Sequence, residues 1–334
     1  MASSSNISAK PNARPNPDKM TATERAERAL ARSAAYRLDA DARSTLKAYK
    51  SDYMHFTAWC RNNGFEARRP TPETVAAYLA GCGEGYTLST LRRRVAAIRY
   101  FCHTHNYNLD TRARIVRETL RGIARNHGEP SRRAAALTID EVRRLCDVCD
   151  DTLAGQRDRA LFLVGFAGAL RRSELVRIRV EDVEWTSTGM ILLLTRSKTD
   201  KEGRGAEISI SAGAHEAICP VKALKQWIKA AGIRSGPLFR KIHSSGSLLN
   251  RAMSPDAVRQ ILLRRAAMTG LKGSRRQPIS PHGLRAGFVT TAYRNGVRDE
   301  EIMEHTRHRS YETMRRYIRR AKLGAKSATG KLGL

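Results

Sequence analysis

No run of about 18 or more apolar residues occurs in this 334-residue chain, and no compact basic amphipathic anchor stands out, so no membrane association is expected. The opening stretch MASSSNISAKPNARPNPDKM lacks an apolar core. It is not expected to be a secretory leader; its Ser, Asn and Pro content reads as a disordered tail over 1–19 of a cytoplasmic protein. Six cysteines (Cys60, Cys82, Cys102, Cys146, Cys149 and Cys219) are scattered without a pairing framework and read as buried thiols of a reducing compartment. Only Cys146 and Cys149 make a CxxC, and no second ligand pair follows at zinc spacing. On a helix the two share a face, so neither a metal nor a cofactor is expected. No internal repeat is visible. Acidic residues are also scarce: 32 Asp and Glu stand against 61 Lys and Arg, a formal net charge of +29. Such an excess favours phosphate-rich partners and salt-dependent binding to nucleic acid.

What is present suffices for about two folded domains, with 41% hydrophobic residues. The first half reads as helices. In STLKAYKSDYMHFTAWCRNNG the apolar positions Leu46, Tyr49, Tyr53, Phe56 and Cys60 recur every three or four residues, and Gly64 stops the pattern. Thr71 is placed to cap the next helix, with Pro72 in its first turn and Gly81 at its end. In TLSTLRRRVAAIRYFCHTHN, Leu91, Val95, Ile98 and Phe101 point inward, with Arg92, Arg93, Arg94 and Arg99 elsewhere on the cylinder. That basic face suits a DNA major groove, with a merely solvated face as the competing reading. Gly, Pro and small or basic residues then mark a linker over 127–137, separating a helical domain of 20–126 from one of 138–334. The second domain opens with a Thr138-to-Glu141 capping box and continues with a long apolar helix that breaks near Gly168. It contains one convincing strand pair, GMILLLTRSKTDKEGRGAEISIS, and returns to helices from residue 254. The fold class is therefore mainly α, with an all-helical first domain and an α+β second domain bearing a small antiparallel sheet.

Near the end, RHRSYETMRRYIRR, residues 307–320, sets two tyrosines among six arginines and a histidine. Three other segments supply residue types suited to attack on a phosphodiester. GALRRSELVRI gives Arg171 and Glu174, LLLTRSKT gives Lys198, and SPHGLRAGFV gives His282 and Arg285. His308 precedes Tyr317 by nine positions. In this order and spacing the chain resembles the tyrosine recombinase/integrase family, and within it the Cre-like recombinases, from about residue 20 to the end. The resemblance implies an N-terminal SAM-like core-binding domain and a catalytic domain that cuts DNA through a 3′-phosphotyrosyl link, with no metal or ATP.

The chemistry explains the residue types. Fixed guanidiniums at Arg171 and Arg285 suit the charge that builds on a phosphoryl group in the transition state. A phenol is a weak nucleophile unless neighbouring cations favour phenolate, which suits Tyr317. The resemblance implies that Lys198 protonates the leaving 5′-oxygen, that His282 contacts the phosphate and assists proton transfer, and that His308 donates to the phosphate. Glu174 reads as a carboxylate that orients its neighbours. Lys201 competes with Lys198, His305 with His308, and Tyr311 with Tyr317. The family has Gly just before the second histidine, where this chain has Arg307.

SPDAVRQILLRRAAMTG reads as a helix capped by Ser254; it resembles the family's major-groove helix, which makes Arg259, Arg264 and Arg265 candidates for DNA contact. In the first domain Lys47, Ser51, Ser89, Arg92 and Arg93 occupy comparable faces. The family implies a homotetramer on two double-stranded DNA sites with inverted repeats, proceeding through a Holliday junction, with a C-terminal tail passed between protomers. A topoisomerase-like DNA relaxing enzyme and a DNA-binding protein without catalysis are the competing readings.

Overall fold

The computed structural model describes residues 21–39, 42–129, 132–195, 205–308 and 310–317, and the chain divides into two units at Pro130 and Ser131. The expected tail over 1–19, Lys198 with its rival Lys201, and everything after Tyr317 lie outside the described residues. Among those described, no helix is long and apolar enough to cross a membrane.

The first unit is helical throughout: α1 (Ala22–Asp39), α2 (Arg43–Asn62), α3 (Pro72–Cys82), α4 (Leu88–Thr104) and α5 (Arg114–His127). Its core gathers Phe56, Cys60, Leu91 and Ile98, which the apolar spacing predicts, together with Tyr78, Leu79 and Val116. Thr71 caps α3 by accepting from the Thr74 amide at 3.3 Å, with Pro72 in the first turn. The helix passes through Gly81 to Cys82 instead of stopping there. A Cβ on Gly81 would lie 3.0 Å from the Trp59 indole nitrogen, so this glycine serves close packing rather than termination. The reading of α4 also needs correcting at Arg94, which is buried and not on the outer face. It falls three residues after Leu91, on the apolar stripe, and its guanidinium sits over the Tyr86 ring at 3.7 Å. Arg93 grips both oxygens of Asp52 on α2, at 2.7 and 3.1 Å.

The second unit contains α6 (Ile139–Asp147), α7 (Leu153–Ala167), α8 (Arg172–Leu175), α9 (Pro220–Ala230), α10 (Pro255–Met268), α11 (His282–Arg294) and α12 (Asp299–Thr306). The expected strand pair is β2 (Gly189–Leu194) with β3 (Ala206–Ser211), antiparallel, joined on the other side of β2 by the short β1 (Val183–Trp185). A second hairpin, β4 (Arg240–Ile242) with β5 (Leu248–Ala252), escapes the sequence reading because its strands are too short to show alternation. Leu145, Phe162, Leu192, Leu224, Trp227, Phe239 and Leu262 form the centre of this unit's core. The capping box is formed: Thr138 N donates to Glu141 at 2.6 Å and Glu141 N to the Thr138 hydroxyl at 3.4 Å. All six cysteines are buried; burial pushes the Cys149 thiol up to about 11, and burial likewise raises Cys146.

Two long-range ties place the helices that matter for the site. Asp158, fully buried on α7, accepts from Arg265 of α10 at 3.0 Å, and Arg265 also donates to the Val148 carbonyl at 2.8 Å. Arg265 is therefore a strut of the core and not a DNA reader: its fork is spent on buried partners, whereas Arg259 and Arg264 of the same helix are exposed. The second tie involves residues of the expected linker. Arg133 N donates to Arg276 O and Ala135 N to Pro278 O, both at 3.1 Å, and Leu137 N to Gly283 O at 2.9 Å. A Cβ at Gly287 would lie 1.7 Å from the Leu137 carbonyl oxygen, and one at Gly283 would lie 2.4 Å from that of Ala135. The glycines of α11 let the 135–137 backbone lie directly on the helix.

Gly287→Ala tests this packing. In an ordinary helix interior the change would gain about 1 kcal/mol from propensity; here the expected result in urea unfolding is the opposite, a loss of about 1–3 kcal/mol from overpacking.

Candidate active site

Four pieces of chain converge. The turn Gly168–Ala169 after α7 leads into Arg171 at the start of α8; α11 begins with His282 and carries Arg285; the end of α12 gives Thr306, Arg307 and His308; and a helical stretch at 311–317 ends on Tyr317. That last stretch is seated by Met314, fully buried against Val289 and Ile302, with Tyr317 packed at the edge of the cluster. The periodicity of Met314 and Tyr317, three residues apart, carries both to one face.

Six of the seven expected site residues, Arg171, Glu174, His282, Arg285, His308 and Tyr317, are brought together, while Lys198 lies outside the described residues. His282 Nε2 is 2.6 Å from the Tyr317 hydroxyl. His282 keeps an open face to solvent, but the atoms crowded about its ring, then Arg285 and Arg171, hold its pKa below the usual imidazole value. A neutral imidazole can accept the phenol's proton through that contact. Tyr317 is itself raised by burial, opposed by the charges of Arg285, Arg171 and Arg133. His308 lies beside it, with ring centroids 5.7 Å apart.

Arg285 is almost wholly buried and donates to the carbonyls of Ala169, at 2.7 Å, and Thr306. Burial, then Arg171 and Arg307, lower its pKa to about 9, which leaves it charged at neutral pH. Glu174, also buried, accepts from the Arg171 amide at 2.9 Å and side chain at 2.5 Å, and from Arg307 at 3.1 Å. Burial alone would raise its pKa; the Arg171 amide and the Arg307 and Arg171 charges outweigh it and hold the carboxyl below its ordinary value. Glu174 thus serves as a shared counter-ion.

The competing residues have partners elsewhere. His305 is stacked on Phe288, centroids 4.5 Å apart, and its Nε2 lies 2.7 Å from the Ala167 carbonyl oxygen, away from the tyrosine. Tyr311 donates to Asp299 at 2.5 Å and lies under the Arg315 guanidinium at 4.4 Å. Two residues in the site were not expected from the sequence. Thr306, fully buried, has its hydroxyl 2.6 Å from both the Ile302 carbonyl and His308 Nδ1. Having one hydrogen to give to Ile302, it accepts from His308 Nδ1–H and fixes that ring. Arg307 joins the guanidinium cluster, and no local spacing rule announces it. Among the described residues no group of three or more His, Cys, Asp or Glu is placed to hold a metal. The DNA candidates Lys47, Ser51, Ser89 and Arg92 are exposed on α2 and α4.

Burial, then Arg285, Arg171, His282 and Arg307, drive the His308 pKa from 6.5 down to about 3. Between those values the unfolded chain binds a proton that the folded chain refuses, so stability rises with pH across the window and is complete above it. The melting temperature is expected to climb from about pH 4 to about pH 7, and His308→Gln to climb less steeply. Equal slopes would contradict the assignment.

The model of the phage integrase family matches residues 135–323, and that of the phage integrase N-terminal SAM-like domain matches residues 36–105. An integrase/recombinase xerD homolog of Selenomonas ruminantium is 35% identical over 296 residues, 86% of this chain and 85% of its own. Recombinase cre of Escherichia phage P1 is 25% identical over 303 residues, 82% of this chain and 83% of its own. In fold the chain is similar to the Tn1549 transposon integrase solved in complex with transposon right end DNA, with a TM-score of 0.60 at 13% identity over 85% of this chain and 92% of that one. With the family's catalytic-domain model covering more than half of its length, and a tyrosine framed by arginines and histidines where the motifs place it, the chain belongs to the phage integrase family and is a tyrosine site-specific recombinase.

Proposed function

We propose that the protein cuts and rejoins duplex DNA by direct attack of Tyr317 on a phosphodiester. The observation that carries this reading is the 2.6 Å contact between His282 and the Tyr317 hydroxyl beside Arg171 and Arg285. The phenol proton passes to His282 Nε2 as the tyrosine oxygen bonds to phosphorus, and the bond from phosphorus to the 5′-oxygen breaks. Arg171 and Arg285 hold the nonbridging oxygens as charge builds on them; each of the two carbonyls that brace Arg285 takes one N–H, leaving others for phosphate. Lys198 protonates the departing 5′-oxygen, and His308, neutral with its hydrogen on Nδ1 before DNA binds, takes a second proton from solvent at Nε2 beside the phosphate anion and donates that N–H to a nonbridging oxygen. The 3′-phosphotyrosyl ester conserves the energy of the broken bond, so a second 5′-hydroxyl reverses the step without ATP or metal. Repeated between two inverted-repeat sites in a homotetramer, the exchange passes through a Holliday junction.

DNA is held by two basic surfaces: Lys47, Ser51, Ser89 and Arg92 on the first unit, and Arg259 and Arg264 of α10 on the second. Arg93 contributes by clamping α4 to α2 through Asp52. Arg264→Ala is expected to weaken DNA binding and to lower its salt slope by about one, while Arg265→Ala is expected to cost about 1–3 kcal/mol of stability in unfolding experiments, because it removes the donors to Asp158 and to the Val148 carbonyl although Asp158 keeps the buried Arg157.

The nucleophile is tested by incubating the protein with sheared DNA from its source, isolating protein–DNA adducts under denaturing conditions and sequencing both parts. Tyr317→Phe is expected to abolish adducts and Tyr311→Phe to retain them. Arg171→Ala should slow adduct formation by about 100- to 1,000-fold with DNA still bound. Tight binding with no adduct from the wild type, even on nicked duplexes, would overturn the reading.

A further inference from the structure

Two residues other than glycine near the site adopt left-handed backbone, Ala169 at φ 45° and Arg307 at φ 58°. Each carries a Cβ where glycine would sit without strain, and such strain persists when the surroundings enforce it. Their contacts show what enforces it here. The Arg307 side chain, only 12% exposed, runs back across the end of α12. Its Nη1 donates to the His305 carbonyl at 3.0 Å and to that of Gly168 at 3.4 Å, and its Nη2 donates to Glu174 at 3.1 Å. The Ala169 carbonyl, which accepts from Arg285 at 2.7 Å, also lies 3.5 Å from Arg307 Nη2. One guanidinium therefore touches the 168–169 turn that delivers Arg171, the carboxylate that orients Arg171, and the helix end that delivers His308.

We propose that Arg307 is a positioning residue for this reaction: its guanidinium pins the Gly168–Ala169 turn and Glu174 to the end of α12, so that Arg171, Arg285 and His308 are held in one fixed arrangement before DNA arrives. The inference rests on the reading of the cluster as a phosphodiester-cleaving site. It assigns Arg307 no contact with the phosphate. Glu174 is the counter-ion that makes this possible, because without a shared carboxylate Arg307 and Arg171 would repel one another. Glycine at this position would relax the backbone and lose the tie; lysine would keep a charge but lacks the planar fork that meets a carboxylate and carbonyls together.

The test uses nicked duplexes carrying the sequence recovered from wild-type adducts, with the full-length protein in single-turnover cleavage. Arg307→Gly and Arg307→Asn, both compatible with left-handed backbone, are expected to form adducts about ten- to a hundredfold more slowly, with half-saturating DNA concentrations within about twofold of wild type and a cooperative melting transition retained above the assay temperature. Glu174→Gln is expected to show a similar defect, and the double variant Glu174→Gln/Arg307→Gly to be no slower than the slower single variant, because both changes cut the same tie. The inference is overturned if Arg307→Gly cleaves at the wild-type rate or faster. It is equally overturned if the defect lies wholly in DNA affinity, which would make Arg307 a phosphate contact, or if the two changes multiply. A wild type that forms no adduct sinks the underlying reading together with this one.

Discussion

Like charges must be held close together in this site, and everything around it answers that constraint. Of three clustered guanidiniums, Arg171 and Arg307 pair with one buried carboxylate, Glu174, whose charge also acts on Arg285. The remaining positive charge is met by backbone carbonyls at Gly168, Ala169, His305 and Thr306, partners that cannot neutralise a cation but can fix where it points. The excess is what an anionic phosphoryl group would satisfy. Preorganisation here means that the repulsion is borne by the fold in advance, so little reorganisation is left for the reaction itself. The depressed pKa values of His282, His308 and Arg285 all follow from the same concentration of charge added to burial.

Residues with a motif were readable in advance. The capping threonines, the apolar stripes of α2 and α4, the β2–β3 hairpin and the ordered set of site residues all follow from local chemistry and spacing. The β4–β5 hairpin is too short to read, and the misplaced residues share another cause: packing against partners that are not their sequence neighbours. Arg94 and Arg265 look like surface arginines in a basic protein, yet partners distant in sequence draw both inward: the Tyr78 and Tyr86 rings for Arg94, and Asp158, 107 residues away, for Arg265. Gly81 resembles a stop signal only because Trp59 is not its sequence neighbour. Arg307 stands where the family has glycine, but its tie to Glu174, 133 residues earlier, has no local signal.

The two tyrosines of the basic segment 307–320 differ in their seats. Both lie three residues from Met314, but Tyr317, downstream, packs with Met314 against Val289 and Ile302, whereas Tyr311, upstream, is exposed and spends its hydroxyl on Asp299. Tyr311 thereby tethers the start of the tyrosine's helical stretch to the first turn of α12, and its ring shields the Arg315 charge.

The bare glycine face of α11 has a consequence for how the protein is made. With Gly283 and Gly287 in its first turns, this helix has weak intrinsic propensity and gains its place from the 135–137 backbone lying on it. Leu137 and Gly287 are 150 residues apart, so that contact closes only after most of the second unit has been synthesised and collapsed. His282 and Arg285 therefore reach their working positions late. A nascent or truncated chain presents scattered basic residues long before it brings His282, Arg285 and Tyr317 together, so the candidate site stays unassembled until the fold is complete.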